Sequence, residues 1–427
     1  MKRFAPLIFI EAYLLFTLLV FLFGPITFVI HNELLFYVCM ISYHLAFILG
    51  YVVSNILYRN SGVHHVFEFR SETFYIIFFF AVLASLVTYK NVMINSSLIP
   101  WDIFSQISDG IQSPAEVYVQ RLEKINAENV ASSRFFNVLS IFFMFFKFLF
   151  IYYSVYFWRM YDCSKKLLFI MYSILFILPS LAGGVSSILF YFFIFLSVSL
   201  FFVKLMSNEL AILKIFAVST IVFLLFSGFF GFMMTQRGGG FEYFNTLSPL
   251  GDISVNIATP ELGSIIGFYL YSFVWLSSYL VQGYYGFCLA LSEPWIWTYG
   301  FGSSHFLQNQ LLLVFGVDVS NLTFQSRISS VWDEKAMWHS FYAQMANDVS
   351  FAGVSLIMFL FGFLLSRVWC SIIFQKSFYG SALMPILVVF FIFLPANNQI
   401  FGFIDTISYF FVILALWFFE NKKVVYR

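Results

Sequence analysis

The chain has 427 residues, a net charge of +1, 61% hydrophobic residues, 63 Phe, 25 Tyr and only 10% charged residues. No water-soluble domain buries so large an apolar share, so most of this surface meets lipid. The near-zero charge removes the electrostatic basis for nucleic-acid binding, and continuous rather than alternating apolar runs exclude a β-barrel.

In chain order, MKRFAPLIFIEAYLLF joins a basic start to an apolar run without a small-residue cleavage site, and reads as an uncleaved first helix. Ten membrane helices are expected at 5–23, 34–57, 73–89, 135–157, 167–182, 184–203, 215–234, 350–367, 380–395 and 404–420. With the N-terminus in the cytoplasm, fourteen of the 22 Lys and Arg residues fall in short inner segments, from Lys2 and Arg3 to Lys422, Lys423 and Arg427. Seven fall in the much longer outer segments, which sets both termini inside by the positive-inside rule.

The first outer loop, 90–134, carries a capping box at Ser113, Pro114 and Glu116. It opens a short amphipathic helix with Tyr118, Val119, Leu122 and Ile125 on one face. The second outer loop, 235–349, contains LGSIIGFYLYSFVWLSSYL, nearly long enough to cross. If it alone crossed, Arg367, Lys376 and the basic C-terminus would lie outside. FLQNQLLLVFGV is too short to restore parity. Both are therefore expected as interfacial or re-entrant helices, with twelve spans as the alternative. The expected fold is an all-α polytopic integral membrane protein of ten to twelve helices, one membrane domain over 1–427 with a large outer cap.

The chemistry concentrates in that cap. VQGYYGFCLALSEPWIWTYGFGSSHF supplies Tyr284, Tyr285, Trp295, Trp297, Tyr299 and Phe301 among glycines, a composition for a walled cleft that stacks sugar rings. An interfacial aromatic belt is the plainer alternative. The loop's basic residues are Arg237, Arg327 and Lys335. Arginine presents a fixed fork of donors that matches phosphate. In MMTQRGGGFEYF, Arg237 is expected at headgroup level, with Gly238, Gly239 and Gly240 leaving room for a bulky diphosphate. The alternative is an ordinary interfacial arginine followed by helix-ending glycines.

RISSVWDEKAMWHSFYAQMANDVSF places His339 beside Trp338 just before the eighth helix, a candidate general base for a sugar hydroxyl. Asp333, Glu334 and Asp348 compete for that role, Asp348 also being a candidate N-cap. His305 is a weaker candidate. No zinc-type cluster, HExxH, GxSxG, Walker or outer Asp-x-Asp motif occurs. No metal or other cofactor is therefore expected, and arginine is left to neutralise a diphosphate. The four cysteines form no evident framework. Within the helices, Glu11, His44 and Lys147 are ionisable, and Glu11 and Lys147 are expected to tie structurally.

In layout over nearly its whole length, and locally in QGYYGFCLALSEPWIWTYGFG and in WHSFY followed by ND, the chain resembles the O-antigen polymerase (Wzy) family of oligosaccharide repeat-unit polymerases. It departs from members with paired arginine-to-glycine spacings in two outer loops, since Arg237 and Arg327 share one. The resemblance implies a GT-C-like glycosyltransferase of the bacterial inner membrane that extends undecaprenyl-diphosphate-linked glycans at the outer face. A repeat-unit flippase and a chain-length regulator are its implied partners, beside membrane lipids. Arg237 and Arg327 would hold the diphosphate; His339 or an adjacent acid would serve as base. An O-antigen ligase and a lipid-linked repeat-unit flippase are the competing readings.

Overall fold

The computed structural model describes residues 2–58, 67–93, 99, 101–113, 116–117, 119–120, 141–184, 186–209, 212–237, 239–334 and 336–425. Fourteen α-helices lie among them: α1 (Ala5–Phe23), α2 (Glu33–Leu57), α3 (Ser71–Met93), α4 (Ile103–Gln112), α5 (Phe146–Tyr156), α6 (Cys163–Ala182), α7 (Ser186–Met206), α8 (Ile212–Arg237), α9 (Ile265–Ala290), α10 (His305–Phe315), α11 (Phe324–Arg327), α12 (Phe341–Gln375), α13 (Phe378–Phe393) and α14 (Ile404–Val425). Eight are long and apolar enough to cross a membrane: α1–α3, α6–α9 and α12. The protein is an all-α polytopic membrane protein. Most of the amphipathic helix expected after Ser113 lies outside the described residues, as do Gly238 and Lys335.

Local chemistry sets several helix starts. Asp162, Ser264, Ser304, Ser340 and Ser377 each accept a backbone N–H from the first turn of the helix that follows. Ser340 starts α12 nine residues before the expected boundary, and the helix breaks at Ser350 (φ 64°), where the span was expected to begin. Asp348 therefore lies inside the first segment of α12 rather than capping it.

The tightest helix seam is α2 against α12. The two run parallel: Tyr43 donates to the Phe351 carbonyl, and Tyr58 stacks on Phe374 at the far end. Between these points the backbones touch. A Cβ on Gly50 would lie 2.0 Å from the Phe359 oxygen, and one on Gly362 would lie 2.1 Å from the Phe47 oxygen. Without a hydrophobic drive in lipid, such small-residue contact is what holds helices together.

The buried ionic groups pair differently from the sequence expectation. His44 Nδ1 lies 2.7 Å from Glu11 across α1–α2, whereas Lys147 on α5 meets Asp405 on α14 at 2.7 Å. Glu11 and Lys147 do not tie to each other, because each finds a counter-group on a helix packed against its own.

The bundle has two chemically distinct ends. At one, Arg3 lies over Phe374, Trp369 donates to the Lys2 carbonyl, and Arg159, Lys204 and Lys376 surround one pocket. At the other, a two-stranded ladder pairs β1 (Ile26–Phe28) with β2 (Ile253–Val255), fastening the α1–α2 turn to the 235–349 segment. α9, one continuous helix of 26 residues, covers the first apolar stretch of the cap and is long enough to cross, and α10 covers the second. Two interfacial or re-entrant helices, with crossing as the alternative, were the expectation there. Tyr271 bonds the carbonyls of Met234, in the last turn of α8, and of Gly239 just past it, and Tyr284 meets Thr17 in the second half of α1. Both halves of α9 thus touch the same, ladder-bearing end.

Candidate functional site

At the ladder-bearing end, residues 291–348 and 395–401 enclose a layer of buried amides and hydroxyls. Apolar helices flank it, so each polar atom here needs a partner inside the protein. Asn347 is its hub. Its side chain accepts from the Phe324 amide at 2.8 Å and donates to Gln325 Oε1 at 2.7 Å and to the Gly302 carbonyl at 3.1 Å. Gln344 donates to Asn397 Oδ1 at 2.8 Å, and Asn398 to the Ser303 carbonyl at 2.8 Å.

Asp348 follows the hub. Its carboxylate accepts from Thr298 Oγ1 at 2.5 Å, the Gly302 amide at 2.9 Å and the Ser303 amide at 2.9 Å. A carboxylate so engaged is a loop clamp, and the expectation of a general base at Asp348 gives way to that role. The clamped loop lifts three rings to the surface: Trp295, Trp297 and Tyr299 are 47%, 54% and 60% exposed. Trp297 and Tyr299 lie 4.9 Å apart, and Tyr299 adopts a left-handed backbone (φ 59°), uncommon for a large side chain.

Tyr284 and Tyr285 are fully buried, which removes them from any ligand-accessible wall. Tyr284 packs against Phe21 and Phe36. Tyr285 donates to Asp252 at 3.0 Å, and Asp252 also meets His31 at 2.6 Å. Trp338 is half-buried between Tyr279 and Phe393. Tyr284 and Tyr285 fall on the inner side because α9 packs along most of its length, which composition alone does not reveal.

The two arginines are anchored separately. Arg237, half-buried at the end of α8, donates to the Gly184 carbonyl in the α6–α7 turn. Beside it Gly239 adopts φ 63° with nothing near the position of a Cβ, so the backbone stands open there. Arg327 ends α11, lies over the Phe324 ring at 4.9 Å and donates through Nη1 to Glu293 at 3.2 Å. Its Nη2 is buried with no hydrogen-bond partner among the described residues.

His339 is 3% exposed, and neither ring nitrogen has a partner among the described residues. It packs on Gly286, where a Cβ would lie 2.9 Å from Nδ1 and 3.1 Å from the Trp332 ring. Burial, and behind it nearby His305, push the imidazole down to about 3, so it is neutral at physiological pH. Such a ring accepts a hydrogen bond readily but holds a full proton poorly. Asp333 is exposed in the turn that follows Trp332, and Glu334 is half-buried beside it with its amide on Ser329 Oγ.

Sequence reasoning overlooked Asn347, Gln344, Gln325, Trp332 and the run Asn397–Asn398–Gln399. The last had a legible signal: three consecutive amides between two apolar helices in a chain with few polar residues. Comparison with protein-family models, curated proteins and solved structures gives no match.

Proposed function

We propose that the protein is a membrane glycosyltransferase that polymerises undecaprenyl-diphosphate-linked oligosaccharide repeat units into O-antigen or a related surface polysaccharide. The reading sets it in the bacterial cytoplasmic membrane with a GT-C-like arrangement, both termini cytoplasmic and the 235–349 cap on the outer leaflet. Support for that orientation comes from the basic residues gathered at the bundle end opposite the cap.

The observation that carries the reading is the shared brace of Asn347 and Asp348. These adjacent residues on α12 fasten both the helix ending in Arg327 and the loop bearing Trp297 and Tyr299. A phosphate-matching cation and a sugar-stacking surface are thereby held by one rigid element.

In this reaction the acceptor's sugar hydroxyl attacks the anomeric carbon of the donor chain. The bond to the diphosphate breaks, and undecaprenyl diphosphate leaves with the electron pair. Arg327 and Arg237 stabilise the negative charge that grows on the departing oxygen. His339, neutral and buried with neither ring nitrogen paired among the described residues, accepts from the attacking hydroxyl once substrate binding parts its packing against Gly286 and Trp332. The bond to the leaving group breaks ahead of full proton transfer, so a strong base is unnecessary. The released proton passes to water or to Asp333 or Glu334.

The test is reconstitution of purified protein with synthetic lipid-linked repeat units, with and without chelator. Polymer ladders that persist in chelator are expected. Absence of any chain longer than one unit from folded protein rejects the reading.

A further inference from the structure

At the end of the bundle away from the cap, α5, α6 and α7 leave a half-open pocket of about 500 Å³, within the range of small-ligand sites. Its wall is hydrocarbon: Phe169, Leu196, Leu200 and Val203. Leu200 is 41% exposed and Leu167, near the start of α6, is 56% exposed, so the wall continues onto the apolar outer surface of the helices.

The rim has the opposite character. Arg159, Lys204 and Lys376 line it, against a single lining carboxylate, Glu209. Arg159 takes both oxygens of Glu209, at 2.8 and 2.5 Å, and satisfies it. Of the acids outside the lining, Glu420 accepts from Ser377 Oγ and the Phe378 amide, and Asp162 pairs with Lys165. Glu209 also experiences the Lys204 charge, yet neither Lys204 nor Lys376 has a carboxylate within 4 Å among the described residues. Lys376 sits at a left-handed C-cap (φ 56°) of α12, where partial burial pushes its ammonium below the ordinary range. Water-soluble anions have no use for the greasy wall, and a neutral lipid has none for the lysines. One molecule satisfies both surfaces.

We propose that this pocket binds one anionic phospholipid, an acyl chain lying on the α6–α7 wall and the phosphate held by Lys204 and Lys376. Basic pockets between membrane helices recognise anionic headgroups in this way. The site is independent of the polymerase reading, since it lies at the opposite end of the bundle and is tested by binding alone.

Native mass spectrometry of the full chain in detergent, titrated with phosphatidylglycerol or phosphatidylcholine, tests it. One phosphatidylglycerol is expected to be retained in clear preference to phosphatidylcholine. Lys204→Gln with Lys376→Gln weakens that retention by about fivefold for each lysine removed. Leu200→Trp, which fills the apolar slot, releases the lipid with both lysines intact. Lys214→Gln, an exposed cation outside the pocket, leaves binding unchanged. Equal retention of the two lipids, an unaffected double lysine variant, or a matching loss in Lys214→Gln overturns the proposal. Lys204 is exposed and Lys376 half-exposed, so their replacement leaves the packed core intact.

Discussion

The α2–α12 seam and the polar layer beneath the cap are both closed to solvent, yet they are built on opposite plans. The seam brings glycine backbones together at Gly50 and Gly362 and closes by shape. The layer joins amides from several distant segments around Asn347 and Asp348 and closes by hydrogen bonds. Shape closure tolerates no added atom, whereas a hydrogen-bonded layer loosens one bond at a time. The first plan suits a frame, the second a region whose surface loops must hold position while ligands come and go.

That contrast is sharpest in substitutions at the seam. Gly362→Leu drives side-chain atoms into the Phe47 backbone and is expected to cost more than about 4 kcal/mol, leaving no monodisperse protein on size-exclusion chromatography. A folded variant with unchanged melting temperature breaks the shape-closure argument. Next is Lys147→Ala, which strands Asp405 inside the bundle at a cost of about 3–5 kcal/mol. Pairing it with Asp405→Leu should recover much of the loss in thermal unfolding; a purely additive double variant denies the coupling.

In the cap, Arg327→Ala should lower polymer formation about a hundredfold while protein levels hold, by loss of one donor to the leaving group. Arg237→Ala should act in the same direction, and wild-type chain length in both would discard the phosphate role. Asp348→Ala removes three hydrogen bonds from the 298–303 loop at a cost of about 2 kcal/mol. Faster hydrogen exchange at Gly302 and Ser303, with α12 unaffected, is the expected signature.

The smallest effect is a pH dependence. Since His339 stays neutral in the fold down to about 3 while the unfolded chain protonates near 6.5, its contribution is complete above 6.5 and is lost as pH falls toward 3. At pH 6 the loss is on the order of 1 kcal/mol. His339→Gln should flatten the melting temperature between pH 7 and 5, and an unchanged slope contradicts the burial argument.

Hydropathy made much of the helical frame legible, because in lipid the length and continuity of an apolar run nearly dictate the element. The spans expected at 135–157 and 380–395 nevertheless hold only the short helices α5 and α13 among the described residues. The eighth span was expected to begin at residue 350, whereas the helix begins at Phe341 and is kinked at Ser350. The site was harder to read. Asp348 presents as a free acid in sequence, and its three donors come from residues 298–303, roughly 45–50 positions upstream. Tyr284 and Tyr285 sit in a stretch that composition marks as cleft wall, but helical phase turns them inward. The Lys147 partner was missed because Asp405 is 258 residues away and only packing brings the two together.

The short β1–β2 ladder has a consequence for biogenesis. Ile26 emerges from the ribosome well over two hundred residues before its partner Val255. At cellular synthesis rates the first hairpin waits roughly 10 to 50 s with an unpaired strand edge. Through that interval the α1–α2 turn needs another protector, from the insertion machinery or from the lipid interface, and the cap latches shut only after α8 has been delivered.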